Sequence, residues 1–321
     1  MRYLITGGAG FIGSHLCELL LAQGHRVVAI DDLSTGRMEN IAHLRPLPHF
    51  QLVRENINNE QVLDRLTSES DVVVHLAAMV GVQRIVEDPV RTIRTNIMGT
   101  EAVLAAAYRY GCKVLIASTS EVYGKGVRVP FTEDDDRLMG PTTRSRWAYA
   151  ESKAVDEFLG LAYYHQFSLP VVVMRFFNTV GPRQTGRYGM VVPRFVRQAL
   201  AGEPLTVYGD GTQTRCFADV ADVTRAVAAL AEHPAAPGQV FNVGATEEVT
   251  IRGLAERVLA LTGSRSEIRM VAYDDAYGPG FEDMQRRVPS IARLHALIGY
   301  VPRCSLNDTL QRVIEYERSQ V

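Results

Sequence analysis

An α/β fold built on a doubly wound parallel sheet is predicted by two features of the first 180 residues. Short apolar runs recur without polar alternation, which is typical of strands buried on both faces of a parallel sheet. Helical segments, most clearly 97–108, separate these runs, and such alternation of strand and helix is typical of doubly wound sheets. The predicted strands are residues 3–5, 27–30, 72–74, 114–117 and 171–174.

A glycine-rich turn follows the first predicted strand and opens a helical segment. Gly8, Gly10 and Gly13 fit G-x-G-x-x-G, and Gly7, Gly10 and Gly13 fit the related G-x-x-G-x-x-G. Such glycines let the backbone approach a pyrophosphate, which the helix N-terminus then binds through free N–H groups. The turn therefore predicts a Rossmann-type dinucleotide site. Its predicted cofactor contacts are Gly7, Gly10, Phe11, Ile12 and Gly13.

Two acids end the second predicted strand, roughly 20 residues after the last glycine. Asp31 and Asp32 stand where a carboxylate binds the 2′-hydroxyl of an adenosine ribose. Because a carboxylate repels a 2′-phosphate, the sequence favours NAD over NADP as the cofactor. Arg37, in the next loop, leaves NADP as the alternative.

Tyr149 and Lys153 form a candidate acid–base pair. They are four residues apart in a segment of helical periodicity, so both side chains face the same way. A nearby ammonium favours the phenolate and lowers the pKa of a tyrosine from about 10. The pair could then take a proton from an alcohol while a cofactor takes the hydride. A chance surface pair is the alternative for this motif taken alone.

The composition narrows the classes of partner. With 321 residues, a net charge of -2 and 46% hydrophobic residues, the chain can form a large core and has no general basic character. We expect neither nucleic acid nor a membrane as a partner, since no apolar run reaches about 18 residues. The first residues enter a strand at once, which leaves no room for a signal peptide. The cysteines have no metal or disulfide spacing, so a cytoplasmic protein without a metal site is predicted.

The pattern changes near residue 181, where helices alternate with shorter strand-like segments. We predict a Rossmann domain over residues 1–180 and a smaller α/β substrate-binding domain over 181–321, with some chain crossing back to the first. Val192 and Tyr208 are candidates for contacts with a nucleotide base, and ordinary core positions are the alternative. Arg194 could bind a diphosphate or lie in a solvated basic loop.

Eight stretches together resemble the extended short-chain dehydrogenase/reductase family, in its group of nucleotide-sugar epimerases, dehydratases and decarboxylases. They follow the family order from residue 3 to about 225, and weaker similarity continues to the end. The stretches are T-G-G-A-G-F-I-G-S, D-D-L-S-T-G, H-L-A-A, T-N-I-M-G-T, S-T-S-E-V-Y-G, Y-A-E-S-K, R-F-F-N-T-V-G-P-R and G-D-G-T-Q-T-R-C-F.

The resemblance implies a role for each matching residue. Tyr149 would be the base, Lys153 would hold the nicotinamide ribose, and Thr119 would bind the reacting sugar hydroxyl. Asn56 departs from the aspartate that is common in the family, but its carbonyl could still accept a hydrogen bond from adenine. The other implied contacts are Asp31, Ile57, Leu76, Ala77, Ala78 and Asn96 with the cofactor, and Asn178 and Arg215 with the sugar diphosphate.

The residues after Thr119 bear on the reaction. The family's 4,6-dehydratases have Thr-Asp-Glu here, whereas this chain has Thr119-Ser120-Glu121 and lacks the acid needed for elimination. Simple 4-epimerases have a small residue in place of Glu121. Ser-Glu is similar to UDP-glucuronate decarboxylases, and so is the segment 277–289, which supplies Tyr277 and the catalytic candidate Arg287.

The best prediction is therefore an NAD-dependent UDP-glucuronate decarboxylase that oxidises C4 of a UDP-sugar transiently. A UDP-glucose or UDP-uronate 4-epimerase is the alternative, because it needs the same oxidation. A non-catalytic binding protein is the remote alternative, but it would be expected to have lost Tyr149, Lys153 or the glycine turn.

A homodimer is also implied by the resemblance. Family members usually pack the helices that carry Tyr149 and Asn96 against those of a second copy, as a four-helix bundle. Small and apolar residues on these helices could form that interface, or could belong to the internal core. They are Ala102, Ala105, Ala106, Phe158 and Ala162.

Overall fold

The computed structural model describes residues 1–81, 88–126, 128–186, 190–277 and 284–320, without the side chains of Asp274 and Tyr277. Within this part, strands and helices alternate through the first half of the chain, as predicted. The strands are β1 Arg2–Thr6, β2 Arg26–Ile30, β3 Phe50–Val53, β4 Val72–His75, β5 Lys113–Thr119, β6 Val171–Phe176, β7 Thr179–Val180, β8 Leu205–Tyr208, β9 Thr214–Cys216, β10 Ala218–Asp219, β11 Val240–Val243, β12 Glu248–Thr250 and β13 Ile268–Val271.

Seven strands form one parallel sheet in the order β11-β6-β5-β4-β1-β2-β3. The order reverses between β1 and β4, and ligands bind at such a switch point, beyond the carboxyl ends of the strands. The doubly wound Rossmann sheet is therefore confirmed. All five predicted strands are present, and each is longer than its predicted range by one to three residues.

Helices cover both faces of the sheet. Alternate residues of β1 enter different cores, because side chains of a strand point to opposite faces. Tyr3 and Ile5 pack in the core that includes Leu16 and Val227, whereas Leu4 packs in the core that includes Leu104. The helices are α1 Phe11–Ala22, α2 Glu60–Ser68, α3 Pro89–Tyr110, α4 Ala148–Phe167, α5 Val191–Ala201, α6 Val220–Glu232, α7 Ile251–Thr262, α8 Tyr273–Tyr277, α9 Ala292–Ile298 and α10 Leu306–Arg318.

Helix α3 begins well before the predicted 97–108. Asp88 caps it by accepting a hydrogen bond from the Arg91 N–H at 3.2 Å, and Pro89 occupies the first turn. Both residues are typical of helix starts, since proline has no N–H to leave unsatisfied there. The early start places Asn96 in the middle of the helix.

One part of the second half of the chain packs with the main sheet, and another part forms a separate core. β11 joins the main sheet beside β6, and α6 packs on α1. A separate core contains Phe195, Leu254 and Leu310, next to the short pairs β8–β13 and β9–β12. The crossing of the chain back to the first half agrees with the expected topology, while the division into domains at residue 180 stays a prediction.

Candidate active site

A cavity of about 450 Å³ lies beyond the carboxyl ends of the central strands and extends to the second half of the chain. Most of the residues singled out from the sequence meet on its wall, although they come from segments far apart in the chain. The predicted residues that line it are Gly7, Gly10, Phe11, Ile12, Gly13, Asp31, Leu76, Ala77, Ala78, Thr119, Ser120, Glu121, Tyr149, Asn178, Val192, Arg194, Tyr208, Arg215 and Arg287.

The glycine turn leaves room for a phosphate group next to the first turn of α1. Gly7 has a φ of +70°, and its carbonyl oxygen accepts a hydrogen bond from the Gly10 N–H at 3.0 Å. A Cβ atom on Gly13 would lie 2.2 Å from that oxygen, so no side chain fits there. The narrow turn and the helix N-terminus together fit the pyrophosphate of a dinucleotide.

Of the two neighbouring acids Asp31 and Asp32, only Asp31 lines the cavity within the described part of the chain. Its two carboxylate oxygens accept hydrogen bonds from the Ala9 N–H at 2.9 Å and the Leu33 N–H at 2.8 Å, and burial raises its pKa. Asp32 instead accepts from the Asn56 amide at 2.8 Å. These contacts fix the carboxylate of Asp31 beside the glycine turn, where a ribose hydroxyl would reach it.

Five predicted residues are not on the cavity wall within the described part of the chain. Asp32 and Asn56 bind each other, and Ile57 packs in the core with Val103. Asn96 is buried, and its side chain donates to the Ser152 hydroxyl at 3.1 Å and accepts from the Met79 N–H at 2.8 Å. The cofactor contacts of these four residues stay predictions. The fifth is Lys153, which is buried and pairs with Asp156, and the side chain of Tyr277 lies outside the described residues.

Tyr149 lies on the wall near the start of α4, 8% exposed and hydrogen-bonded to the Thr119 side chain. The expectation that its pKa is lowered was wrong for this structure, in which the pKa is raised well above its usual range. Burial is the main cause, and the negative charges of Glu121 and Asp156 add to it. The ammonium of Lys153 pairs with one of these acids, since its Nζ donates to the Asp156 carboxylate at 2.6 Å.

A buried ionic cluster lies beside Tyr149. The Glu121 carboxylate is 2.5 Å from the Arg146 guanidinium and 3.7 Å from that of Arg287. Two guanidinium groups thus flank one carboxylate at this end of the cavity. Arg146 was missing from the residues predicted to be catalytic. Its position three residues before Tyr149 was the only signal for it.

The second half of the chain supplies the far wall. The Arg194 guanidinium stacks on the Tyr208 ring at 4.0 Å from its centre. Val192 lines the cavity and also belongs to a core cluster, and its contact with a nucleotide base stays a prediction. Asn178, at a φ of +29°, donates to the Cys216 carbonyl at 3.1 Å, and Arg215 donates to the Met284 carbonyl at 2.8 Å.

Two other features are absent from the described residues. None of the helices in these ranges has the length and apolar character to cross a membrane. No group of three or more histidine, cysteine, aspartate or glutamate side chains there could hold a metal ion.

Comparison with known proteins identifies the family. The model of the NAD dependent epimerase/dehydratase family matches residues 3–244, about three quarters of the chain. The chain belongs to this family. Membership confirms the resemblance found in the sequence and the prediction of NAD as cofactor, and the glycine turn with Asp31 fits that cofactor.

Similar members of the NAD dependent epimerase/dehydratase family include decarboxylases and epimerases of UDP-sugars. UDP-N-acetyl-alpha-D-glucosaminuronate decarboxylase of Bacillus cytotoxicus is 42% identical over 99% of this chain and 98% of its own length. UDP-glucuronic acid decarboxylase 1 of Danio rerio is 38% identical over 98% of this chain and 72% of its own length. The structure of UDP-glucuronic acid 4-epimerase from Bacillus cereus, in complex with UDP-glucuronic acid and NAD, is also similar. Its alignment with this chain covers 100% of both chains, at 33% identity and a TM-score of 0.90.

Removing the charge of Asp31 is expected to weaken NAD binding. The Asp31→Asn variant should bind NAD about 10- to 100-fold more weakly by calorimetry, since a hydrogen bond to a charged group contributes about 1.5–3 kcal/mol. NADP should lose less affinity, because the repulsion of its 2′-phosphate is also removed. Asp32→Asn is the matched control and should change NAD affinity little. Equal losses in the two variants would contradict the assignment of Asp31.

Proposed function

We propose that this protein is an NAD-dependent decarboxylase of a UDP-linked uronic acid. Support comes from the two decarboxylases above, which match nearly the whole chain at 42% and 38% identity. Ser120-Glu121 after Thr119 agrees with the pattern of such enzymes.

The observation that carries this proposal is the buried cluster of Arg146, Glu121 and Arg287. All three side chains are at most 14% exposed, and they line the cavity beside Tyr149. Two guanidinium groups on the cavity wall next to a candidate base suit a substrate with a carboxylate, since guanidinium groups bind carboxylates in two-pronged geometry. A neutral hexose has no carboxylate to offer to these guanidinium groups.

Tyr149 would move the proton of the C4 hydroxyl. NAD, when bound in the glycine turn and beside Asp31, supplies the reversible oxidation at C4 and a positive charge that favours the phenolate. Tyr149 takes the hydroxyl proton as the alcohol becomes a ketone and returns it at the end. Thr119, hydrogen-bonded to Tyr149, would hold the same oxygen.

Loss of carbon dioxide follows from the position of the ketone. The C4 carbonyl is β to the C6 carboxylate, so the electrons of the breaking C5–C6 bond move into an enolate. Tyr149 and Thr119 would stabilise its oxygen. Ser120 is 1% exposed, and its hydroxyl has no hydrogen-bond partner among the described residues, which suits contact with the sugar. Protonation at C5 and reduction at C4 complete the pentose.

A UDP-uronate 4-epimerase is the second candidate. The observation in its favour is the close structural match to the UDP-glucuronic acid 4-epimerase of Bacillus cereus. It would use the same base and the same arginine cluster. The cluster counts against a UDP-glucose 4-epimerase, whose substrate has no carboxylate. A non-catalytic protein remains the remote alternative, and the intact Tyr149, Lys153 and glycine turn count against it.

Mass spectrometry distinguishes the two enzymes directly. The protein is incubated with NAD and either UDP-glucuronate or UDP-N-acetylglucosaminuronate. We expect a product that has lost carbon dioxide from at least one of them. A product of unchanged mass with inverted C4 would make the protein an epimerase, and no change in either sugar would refute both activities.

We also propose that the protein is a cytoplasmic homodimer. Its four cysteines are free thiols, as expected in a reducing compartment. Large apolar side chains are exposed on two neighbouring helices: Val90 and Met98 on α3 are 66% and 54% exposed, and Phe158 on α4 is 68% exposed. Exposed apolar groups concentrated on adjoining helices are typical of an interface. Ala106 is in the core instead, so it is not part of the proposed interface.

The Phe158→Asp variant tests the interface. Placing a charge there should convert the dimer into a monomer, because an unpaired charge is costly inside an apolar contact. Light scattering after gel filtration measures the mass, and Phe167→Asp, at the far end of the same helix, shows the effect of a peripheral charge. A wild-type monomer, or a dimer that persists in Phe158→Asp, would contradict the proposal.

A further inference from the structure

Lys153 is held by a partner on its own helix. Its Nζ lies 2.6 Å from Oδ2 of Asp156, one turn further along α4. The Lys153 side chain is 2% exposed and that of Asp156 is fully buried. A buried ammonium needs such a partner, because an isolated charge is strongly disfavoured away from water.

The contact continues as a line of buried polar groups through the centre of the molecule. Thr100 of α3 interacts with Asp156 and lowers its pKa, although burial, the larger effect, raises it. The Thr100 hydroxyl is 3.2 Å from Nε2 of His75 at the end of β4, and Nδ1 of His75 is 2.8 Å from the Thr6 hydroxyl. The line therefore runs from Lys153 to the strand that leads into the glycine turn.

The line has a consistent direction of hydrogen bonding. Burial lowers the pKa of His75 to about 3, so the imidazole is neutral. The Thr6 oxygen accepts from the Ala77 N–H at 3.1 Å, and its own proton can then go to Nδ1 of His75. Nε2–H of His75 is left to donate to the Thr100 hydroxyl. Each group from Thr6 to Thr100 thus has a complementary neighbour, which is typical of rigid buried networks. Oδ1 of Asp156 is buried and has no hydrogen-bond partner among the described residues.

Charged groups from several elements act on this region. Glu121, Asp156 and Arg287 act on Tyr149, while Lys153 and Glu157 act on Asp156. Glu157 is itself paired with Arg175 at 2.7 Å. Asp156 is therefore an acid that pairs with Lys153, acts on Tyr149 through its charge and does not line the cavity.

We propose that Asp156 is a positioning residue, which fixes the ammonium of Lys153 and sets how much of its positive charge reaches the Tyr149 oxygen. This proposal rests on the proposed role of Tyr149 as base. Asp156 touches neither the cavity nor, by its position, the reacting sugar, so it acts through Lys153. Thr100 and His75 lead from the surroundings of Asp156 to the strand before the cofactor turn.

The Asp156→Asn variant tests the proposal through pH dependence. Asparagine can still accept a hydrogen bond from Lys153, but it removes the negative charge that raises the pKa of Tyr149. The base form of Tyr149 then exists at lower pH, so the acid limb of the kcat/KM profile should move to lower pH. Asp156→Ala, which also removes the hydrogen bond, should lower kcat/KM about 10- to 100-fold through misplacement of Lys153.

A second readout needs no turnover. In the complex with NAD, the tyrosinate absorbance is recorded against pH for the protein with and without the Tyr149→Phe substitution. The difference between the two curves reports the titration of residue 149 alone. This titration should occur at lower pH in Asp156→Asn than in the wild type. If the wild type fails to release carbon dioxide, the proposed reaction is wrong, but this measurement still decides the role of Asp156.

Two further variants complete the test. Asp222 is another buried acid, and it forms an ion pair with Arg225, three residues further along its helix, at 2.6 Å. The Asp222→Asn variant should leave the pH profile unchanged. Thr100→Val should shift the pH profile in the same direction as Asp156→Asn, but by less. If Asp156→Asn does not fold, Thr100→Val serves as the test. An unchanged profile and titration in whichever variant folds would overturn the proposal.

Discussion

Replacing Tyr149 with phenylalanine is expected to lower kcat by about 10²- to 10⁴-fold, the usual contribution of a general acid–base group. The phenol lies on the cavity wall, is hydrogen-bonded to the Thr119 side chain, and lies beside the Arg146, Glu121 and Arg287 cluster. Removing only its oxygen keeps the ring and the packing. Binding of the UDP-sugar, measured by calorimetry, should therefore change little while turnover is lost.

The control for this variant is Tyr163→Phe. Tyr163 lies further along the same helix and packs against Tyr108, at 6.2 Å between ring centres. The chemical change is the same, and kcat should stay within about threefold of the wild type, as for most surface substitutions. Full activity in Tyr149→Phe would mean that another group moves the C4 proton.

Replacing Arg287 with methionine is expected to lower kcat/KM for the UDP-uronate by about 10²- to 10³-fold. Methionine keeps much of the volume but removes the guanidinium, and loss of one partner of a buried charged contact costs about 2–5 kcal/mol. Because neutral UDP-glucose has no carboxylate for Arg287 to bind, the affinity for this sugar should fall much less. Competition binding with the two nucleotide sugars measures the difference.

The neighbouring arginine is the matched control. Arg286 is 54% exposed and pairs with Glu248 at 2.8 Å. Exposed ion pairs contribute about 0–1 kcal/mol, so Arg286→Met should change kcat/KM by no more than a few fold. Equal losses of affinity for UDP-glucuronate and UDP-glucose in Arg287→Met would show that Arg287 does not recognise the carboxylate.

The fold could be predicted because its signals are local. An apolar run such as 171–174 has few structures available to it, and the glycine turn specifies strand, turn and helix within about ten residues. The position of β11 could not be predicted in this way. Residues 240–243 form a short apolar segment like many others, and only pairing with β6 places it in the main sheet.

The site was predictable where chemistry and spacing agree, as for Tyr149 and Asp31. The electrostatics were not, because they depend on groups from distant elements. Lys153 alone suggested a lowered pKa for Tyr149, whereas burial raises this pKa once the chain is folded, and the charges of Glu121 and Asp156 add to it. Arg146 likewise became a candidate only when Glu121 was found 2.5 Å away.

The contribution of β11 to the main sheet means that the two halves of this protein are interlocked and not interchangeable modules. A fragment that stops at residue 180 would leave the backbone of β6 as an open edge, which invites pairing between molecules and precipitation. It would also lose Asn242, the acceptor for the Tyr123 hydroxyl at 2.7 Å. Anyone who grafts a new sugar specificity onto this chain from a relative must therefore keep residues 240–243 with the recipient.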